Sequence, residues 1–132
     1  MEQTICVIDD DEIYQMIMSK IICRTGLFRE KQTYCSASEA LQDFKDPDRI
    51  LPTVIFLDIN MPRIDGWNFI EQMREIRPDF ALETRIYIVT SSIANSDIEK
   101  AGFYNEIEGF ISKPVSIEKI QEIAKANGIK RI

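Results

Sequence analysis

The residues best suited to chemistry in this sequence follow short apolar segments. Asp9 and Asp10 follow the first segment, Asp58 the second, Thr90 the third and Lys113 the fourth. Short segments rich in Ile and Val are typical of strands buried on both faces of a parallel sheet. Ligands bind beyond the carboxyl ends of such strands, so we expect these side chains to meet in one crevice. Carboxylates, a hydroxyl and an ammonium in one place could hold a divalent cation and a phosphoryl group.

The three aspartates predict a metal site. Asp9, Asp10 and Asp58 would repel one another, and a hard cation with oxygen ligands relieves that repulsion most simply. We predict Mg²⁺, because it usually takes one or two carboxylates, keeps several waters and accepts a backbone carbonyl such as that of Asn60. Mn²⁺ is the alternative ion.

The acidic residues after the first segment have a second interpretation. They could form the start of a helix, where the helix dipole favours negative charge. We favour this interpretation for Asp11 and Glu12. For Asp9 and Asp10 the metal site is favoured, because the other polar strand ends supply its remaining groups.

Asp58 is the candidate nucleophile. A carboxylate beside a metal ion and a lysine can attack phosphorus and form an aspartyl phosphate. The Thr90 hydroxyl could then donate a hydrogen bond to a phosphoryl oxygen, and Lys113 could supply a compact positive charge.

The composition limits the other possibilities. The 132 residues fit a single domain over residues 1–132, and the net charge of -6 with scattered basic residues argues against direct nucleic-acid binding. No apolar stretch is long enough to span a bilayer and no signal peptide is present, so we expect a cytoplasmic protein without membrane contact. The absence of histidine excludes His-dependent triads and most transition-metal sites. Cys6, Cys23 and Cys35 are expected to be reduced, buried thiols.

Five predicted strands alternate with five predicted helices. The strands cover residues 5–8, 32–35, 53–57, 85–89 and 109–112. In helix 1, Ile13, Ile17 and Ile21 form one apolar face with Met16 beside it, and the helix ends near Gly26. Helix 4 spans residues 93–103 and is the weakest pattern, with Ile98 and Ala101 as its inward pair.

This alternation predicts an α/β fold, a doubly wound five-stranded parallel sheet between two layers of helices. We choose the strand order 2-1-3-4-5 among the orders known for such sheets. It places strands 1 and 3 side by side, so that Asp9, Asp10 and Asp58 meet.

The chain resembles the receiver domain of two-component response regulators, the CheY-like family with a flavodoxin-like three-layer fold. The resemblance covers essentially all 132 residues and rests on four motifs. They are Val7 to Asp11, Leu57 to Gly66, Val89 to Ser91, and Lys113 with Pro114. CheY itself has the strand order 2-1-3-4-5, so our choice of order also rests on that precedent.

The resemblance implies a role for each site residue. Asp58 is the phosphoacceptor and also belongs to the metal site, Asp10 and the Asn60 carbonyl bind Mg²⁺ directly, and Asp9 binds it through water. Thr90 is the switch hydroxyl, Lys113 is the catalytic and signalling ammonium, and the Lys113-Pro114 bond is cis.

Three further positions follow from the same resemblance. Asn60 and Ser92 occupy positions that tune the lifetime of the phosphoryl group. Phe110 stands at the second switch position, where Tyr is common in the family. Because Phe110 lacks a hydroxyl, a plain core role in strand 5 remains open for it.

The implied function is signalling and not enzymatic turnover. A histidine kinase or phosphotransfer protein would phosphorylate Asp58, and a downstream protein would read the surface of helix 4, strand 5 and helix 5. The chain is expected to be a stand-alone receiver, with a fragment of a larger regulator as the alternative; its oligomeric state stays open.

Three other functions compete with this one. A Mg²⁺-dependent phosphohydrolase would need a substrate cap and a second acid two residues after the nucleophile, where this chain has Asn60. A pseudo-receiver is disfavoured because every chemical position is filled. A flavodoxin-like cofactor binder would need a phosphate-binding loop where residues 9–12 are acidic.

Overall fold

The fold is described from a computed structural model of residues 3–129. Five parallel strands form one sheet: β1 (Thr4–Ile8), β2 (Glu30–Tyr34), β3 (Val54–Leu57), β4 (Arg85–Thr90) and β5 (Ile107–Ser112). Five α-helices connect and follow them: α1 (Glu12–Thr25), α2 (Ala37–Phe44), α3 (Gly66–Ile76), α4 (Asn95–Ala101) and α5 (Ile117–Ala126). A short 3₁₀ helix, Phe80–Leu82, precedes β4 and is absent from the sequence-based prediction.

The strand order is β2-β1-β3-β4-β5, as predicted. Ile8 pairs with Leu57, and Leu57 pairs with Ile88. The residues that follow these strands therefore lie at one edge of the sheet.

The core has two parts, one on each face of the sheet. Side chains alternate between the faces along β1, with Ile5 and Val7 in one apolar cluster and Cys6 and Ile8 in the other. Buried residues of α1 and α5 complete the first cluster, and those of α2 and α3 complete the second. The predicted three-layer fold is confirmed.

Strand boundaries differ from the prediction mainly at the edges of the sheet. Strand β2 begins at Glu30, two residues earlier than predicted, and ends at Tyr34, one residue earlier than predicted. Glu30 and Lys31 are exposed, so this edge strand lacks the apolar pattern that marks β1 and β3. Strand β5 begins at Ile107 rather than Gly109 for the same reason.

The predicted apolar face of α1 is wrong for three of its four residues, and only Ile21 packs, partly buried, against the core. Ile13, Met16 and Ile17 are 71%, 62% and 49% exposed. The buried positions are instead Tyr14, Gln15, Met18, Ile22 and Thr25. Both sets have helical spacing, so spacing alone could not choose the face that packs on the sheet.

The predicted α4 is also too long, and the prediction of an inward-facing residue is wrong for Ile98 but right for Ala101. The helix has seven residues and none of them is buried. Ile98 is 51% exposed, and only Ala101 is partly buried against the core. A cationic contact helps hold the helix, with Lys100 Nζ lying 5.2 Å from the centre of the Trp67 ring.

Two smaller expectations can be compared directly. Cys6 is buried, but Cys23 and Cys35 are exposed, so the prediction of three buried thiols is wrong for those two. Gly26 ends α1 as predicted, with a left-handed backbone (φ 63°) that glycine adopts without strain.

The longest helix, α1, has 14 residues. Across residues 3–129, no helix combines the length and apolar character needed to cross a bilayer.

Candidate functional site: an acidic pocket closed by Lys113

The pocket forms where β1 and β3 end side by side. The Asp58 N–H donates to the Ile8 carbonyl over 3.0 Å, and the Asp9 N–H donates to the Tyr34 carbonyl over the same distance. Both bonds extend the backbone hydrogen bonding of the parallel sheet by one residue beyond the strand ends. The Asp9 and Asp58 side chains are buried as a result, although both are carboxylates.

Asp10 completes the acidic cluster and connects it to solvent. One carboxylate oxygen from each of Asp9, Asp10 and Asp58 lies within 4.8 Å of the other two, and Asp10 is exposed. Three hard oxygen donors in this arrangement, open on one side to water, fit Mg²⁺, which keeps part of its hydration shell. The residues brought together are the three aspartates predicted as metal ligands.

Lys113 reaches into the same pocket from the end of β5. Its Nζ lies 2.6 Å from Asp9 Oδ2 and 3.5 Å from Asp58 Oδ2, and its side chain is only 15% exposed. The backbone N–H of Lys113 donates to the Thr90 carbonyl over 3.0 Å. The Lys113-Pro114 bond is cis, as expected.

Burial and charge act in opposite directions on these groups. Burial alone would lower the pKa of Lys113, but the hydrogen bond to Asp9 and the negative charges of Asp58 and Asp9 outweigh it and raise that pKa. Burial raises the pKa of Asp9, and the charge of Asp58 adds to this against the opposing effect of Lys113. Lys113 therefore stays an ammonium at neutral pH.

Asn60 connects the Asp58 loop to Thr90. The Asn60 N–H donates to Asp58 Oδ1 over 2.9 Å, and its side-chain amide donates to the Thr90 hydroxyl over 3.1 Å. Thr90 is buried, whereas Asn60 is exposed at the rim. The sequence analysis predicted both residues to lie near Asp58 but did not predict the hydrogen bond between their side chains.

Ser92 and Phe110 lie further out. Ser92 is exposed, and its N–H is 3.5 Å from the Thr90 hydroxyl oxygen, at the limit of a hydrogen bond. Phe110 pairs with Ile88 across β4 and β5 and packs, partly buried, against the core. Phe110 is thus neither a fully buried core residue nor a fully exposed one.

Gln15 supports the pocket, a role that the sequence did not reveal. Its side-chain amide donates to three backbone carbonyls, those of Val7 at 3.0 Å, Asp9 at 3.2 Å and Tyr34 at 2.9 Å. These bonds join α1 to the ends of β1 and β2 and so fix the backbone that carries Asp9. The sequence could have indicated this role only if the buried face of α1 had been predicted correctly, because Gln15 is a polar residue on that face.

Tyr14 is the second pocket residue that the sequence did not reveal. Its ring is 9% exposed, and Lys113 Nζ lies 4.4 Å from the ring centre. The wrong choice of face for α1 concealed this contact, since the predicted face leaves Tyr14 off the buried side.

Gly66 shows why the loop after β3 has its shape. A Cβ atom at this position would lie 2.8 Å from Ile59 Cγ2 and 3.1 Å from the Asp58 carbonyl oxygen. No side chain fits there without displacing the backbone beside Asp58. Asp65 then caps α3 by accepting a 2.9 Å hydrogen bond from the Asn68 N–H.

Comparison with known proteins gives consistent results. The family model described as the response regulator receiver domain matches residues 5–125. Hybrid signal transduction histidine kinase L of Dictyostelium discoideum is 31% identical over 124 residues, which are 94% of this chain and 7% of that kinase. The chain thus spans a small part of that relative.

Solved structures show the same architecture. A two-component response regulator from Cytophaga hutchinsonii matches with a TM-score of 0.86 and 25% identity, over 94% of this chain and 95% of that one. Chemotaxis protein CheY4 of Vibrio cholerae matches in fold, with a TM-score of 0.79 and 19% identity over 96% and 98% of the two chains. With its acidic pocket and CheY-like sheet, this chain belongs to the response regulator receiver family of two-component signalling systems.

Proposed function

We propose that Asp58 accepts a phosphoryl group from a histidine kinase or a phosphotransfer protein and that the phosphorylated protein signals to a protein partner. The position of Lys113 Nζ between Asp9 and Asp58 is the observation that carries this proposal. A buried carboxylate at the centre of a metal-binding cluster, within reach of an ammonium, has the surroundings that phosphoryl transfer needs.

The transfer forms one bond and breaks one. A carboxylate oxygen of Asp58 bonds to phosphorus, while the bond from phosphorus to the histidine nitrogen of the donor breaks and its electron pair stays on that nitrogen. Asp10 and Asp58 would hold Mg²⁺, or Mn²⁺, through their carboxylates, Asn60 through its carbonyl and Asp9 through water. When bound, the ion would neutralise charge on the phosphoryl oxygens. Lys113 stabilises the remaining negative charge.

Phosphorylation then changes the hydrogen bonds of Thr90. The aspartyl phosphate carries about two negative charges. It therefore attracts the Thr90 hydroxyl, which in the unphosphorylated protein accepts a hydrogen bond from the Asn60 side chain. Movement of Thr90 displaces the following loop with Ser92, and Phe110 repacks on β5. Asn60 and Ser92, at the rim of the pocket, control the access of water and thereby the lifetime of the phosphoryl group.

The proposed output surface consists of α4, β5 and α5. No side chain of α4 is buried, so little packing energy opposes its movement when Thr90 shifts. Ile98 on α4 and Phe103 in the turn after it are exposed and give this surface an apolar part that a protein partner can cover.

The proposed surface for the phosphoryl donor is the exposed start of α1. Ile13, Met16 and Ile17 are exposed on α1, which begins directly after the acidic residues. A donor that brings its phosphohistidine to Asp58 must cover this part of α1, and burial of the three side chains would stabilise the encounter.

We propose that residues 1–132 act as one receiver domain in the cytoplasm. The three cysteines are free thiols, which suits a reducing compartment. Receivers are signalling domains, and we propose a non-enzymatic role for this one as well.

The test is labelling by acetyl phosphate, followed by intact mass. Wild-type protein should gain one phosphoryl group only when Mg²⁺ is present, and Asp58→Asn should gain none. Asp79→Asn is the matched control, because Asp79 is an exposed aspartate before β4, at the opposite end of the sheet. Labelling of Asp58→Asn at the wild-type stoichiometry would disprove the assignment, and turnover of many equivalents of a phosphate ester would favour a phosphohydrolase.

A further inference from the structure

Lys113 has one neighbour in the pocket that carries no charge. Its Nζ lies 4.4 Å from the centre of the Tyr14 ring, within the range of a cation–π interaction. Tyr14 is in the first turn of α1, and its N–H donates to Asp11 Oδ1 over 3.1 Å, which fixes the backbone there. The ring is thus held in place by the helix start and by its burial.

The hydroxyl of Tyr14 does not explain the position of this side chain. It is buried and has no hydrogen-bond partner among residues 3–129. A buried hydroxyl without a partner costs about 1–3 kcal/mol, so a phenylalanine would pack at least as well. Burial, with the charges of Asp9 and Asp58, raises the pKa of Tyr14, so the ring stays neutral and its electron-rich face stays available.

The other partners of Lys113 change during phosphoryl transfer. Asp9 belongs to the candidate metal site, and a cation held there competes with Lys113 for the same carboxylate. Asp58 loses its free carboxylate when it is phosphorylated. Of these three neighbours of Lys113, the ring of Tyr14 alone attracts the ammonium equally before and after the changes.

We propose that Tyr14 is a positioning residue that holds the Lys113 ammonium over the pocket while its ionic partners are exchanged. This inference rests on the proposed phosphorylation of Asp58. The ring acts by attracting the cation with its electron-rich face, and it does not touch the reacting atoms. A leucine would fill only part of the space and would leave the ammonium free to turn toward solvent.

The first experiment compares Tyr14→Leu with Tyr14→Phe in labelling by acetyl phosphate with Mg²⁺. This donor needs no protein docking surface, so effects on α1 recognition do not enter. We expect labelling about tenfold slower for Tyr14→Leu, and a rate within about twofold of wild type for Tyr14→Phe. Phe80→Leu is the control for loss of a buried aromatic ring, because Phe80 precedes β4 at the far end of the sheet.

The second experiment separates the charge of the ring from its shape. Phenylalanine analogues with one, two and three ring fluorines at position 14 keep nearly the same size but progressively weaken the negative face of the ring. We expect the labelling rate to fall stepwise along this series. We also expect the side-chain protons of Lys113 next to Nζ to lose their ring-current shift in Tyr14→Leu but not in Tyr14→Phe.

The outcomes distinguish this inference from the proposed function. If wild type is not labelled at Asp58, the proposed function fails and the role of Tyr14 fails with it. If wild type is labelled and the fluorinated series shows a constant rate, phosphorylation stands and the positioning role of Tyr14 is overturned. Equal slowing in Tyr14→Leu and Tyr14→Phe would overturn it as well, because Tyr14→Phe keeps the aromatic ring and Tyr14→Leu removes it.

Discussion

The side-chain amide of Asn60 donates a 3.1 Å hydrogen bond to the hydroxyl of Thr90. This bond connects the loop after β3 to Thr90, the last residue of β4, which is followed by the loop to α4. The Thr90 hydroxyl donates its own proton to the Ser92 carbonyl over 3.4 Å. A phosphoryl group on Asp58 can replace this long bond without breaking the bond from Asn60.

Thr90→Val should weaken binding of beryllofluoride, a phosphoryl mimic, in the presence of Mg²⁺. The loss of one hydrogen bond to a charged group corresponds to about 1.5–3 kcal/mol, or at least about a tenfold rise in Kd. Trp67 fluorescence would report the binding, since Trp67 lies in the first turn of α3, just after the Asp65 cap. An unchanged Kd would remove Thr90 from the proposed switch.

Asn60→Ala and Thr90→Val should be non-additive in the same titration. Residues joined by a hydrogen bond show interaction energies of about 0.5–3 kcal/mol in double-mutant cycles. Ser19→Ala, a change on the partly buried side of α1, serves as the control and should combine additively with Thr90→Val. Additive effects of Asn60→Ala and Thr90→Val would mean that their hydrogen bond does not couple the two loops.

Gln15→Leu should lower the free energy of unfolding by about 1–3 kcal/mol, because leucine cannot donate to the carbonyls that the Gln15 amide serves, although the Tyr34 carbonyl keeps its bond from the Asp9 N–H. The side-chain amide serves the carbonyls of Val7, Asp9 and Tyr34. Urea unfolding measures the change. Gln42→Leu, at an exposed position of α2, is the matched control and should stay within about 0.5 kcal/mol of wild type.

The ion pair of Arg74 and Glu106 predicts a pH dependence of stability. Hydrogen bonds from Arg74, at 2.8 Å for the Nη2 bond, lower the pKa of the buried Glu106 carboxyl below its ordinary 4.5. A lowered folded-state pKa means that the contribution to stability is complete above the unfolded-state value and is lost as the pH falls through the folded-state value. Glu106→Gln cannot titrate.

The measurement is the difference in unfolding free energy between wild type and Glu106→Gln. We expect wild type to be the more stable protein at about pH 6, and the difference to shrink as the pH falls to about 3. A difference that is constant with pH would contradict a stabilising charge on Glu106.

Ile13→Glu should impair phosphorylation by a protein donor while leaving labelling by acetyl phosphate nearly unchanged. Ile13 is 71% exposed and does not support the core, so its replacement should not affect folding. A phosphotransfer protein that labels the wild type provides the protein donor, and the initial rates with both donors are compared. Equal slowing with the two donors would place Ile13 in the chemistry and not in docking.

The sequence predicted the pocket better than the helices around it. Asp9, Asp58 and Thr90 lie at the ends of apolar strands. The carboxyl ends of parallel strands meet at one edge of the sheet, so the positions of these residues could be predicted. The face of α1 could not be predicted, because the series through Ile13 and the series through Tyr14 both have helical spacing.

Buried polar contacts were harder still to predict from the sequence. The bonds from Gln15 to backbone carbonyls and the side-chain bond from Asn60 to Thr90 depend on which polar groups the packed elements bring together. That arrangement is a property of the packed fold, and no local pattern of residue types encodes it.

The most direct test of the central claim locates the phosphoryl group chemically. Wild-type protein labelled by acetyl phosphate with Mg²⁺ is treated with borohydride, which reduces an aspartyl phosphate to homoserine, and the peptides are sequenced by mass spectrometry. We predict homoserine at position 58 and unchanged aspartate at positions 9 and 10, with no conversion when Mg²⁺ is chelated. Homoserine at position 9 or 10 with Asp58 intact would contradict the account.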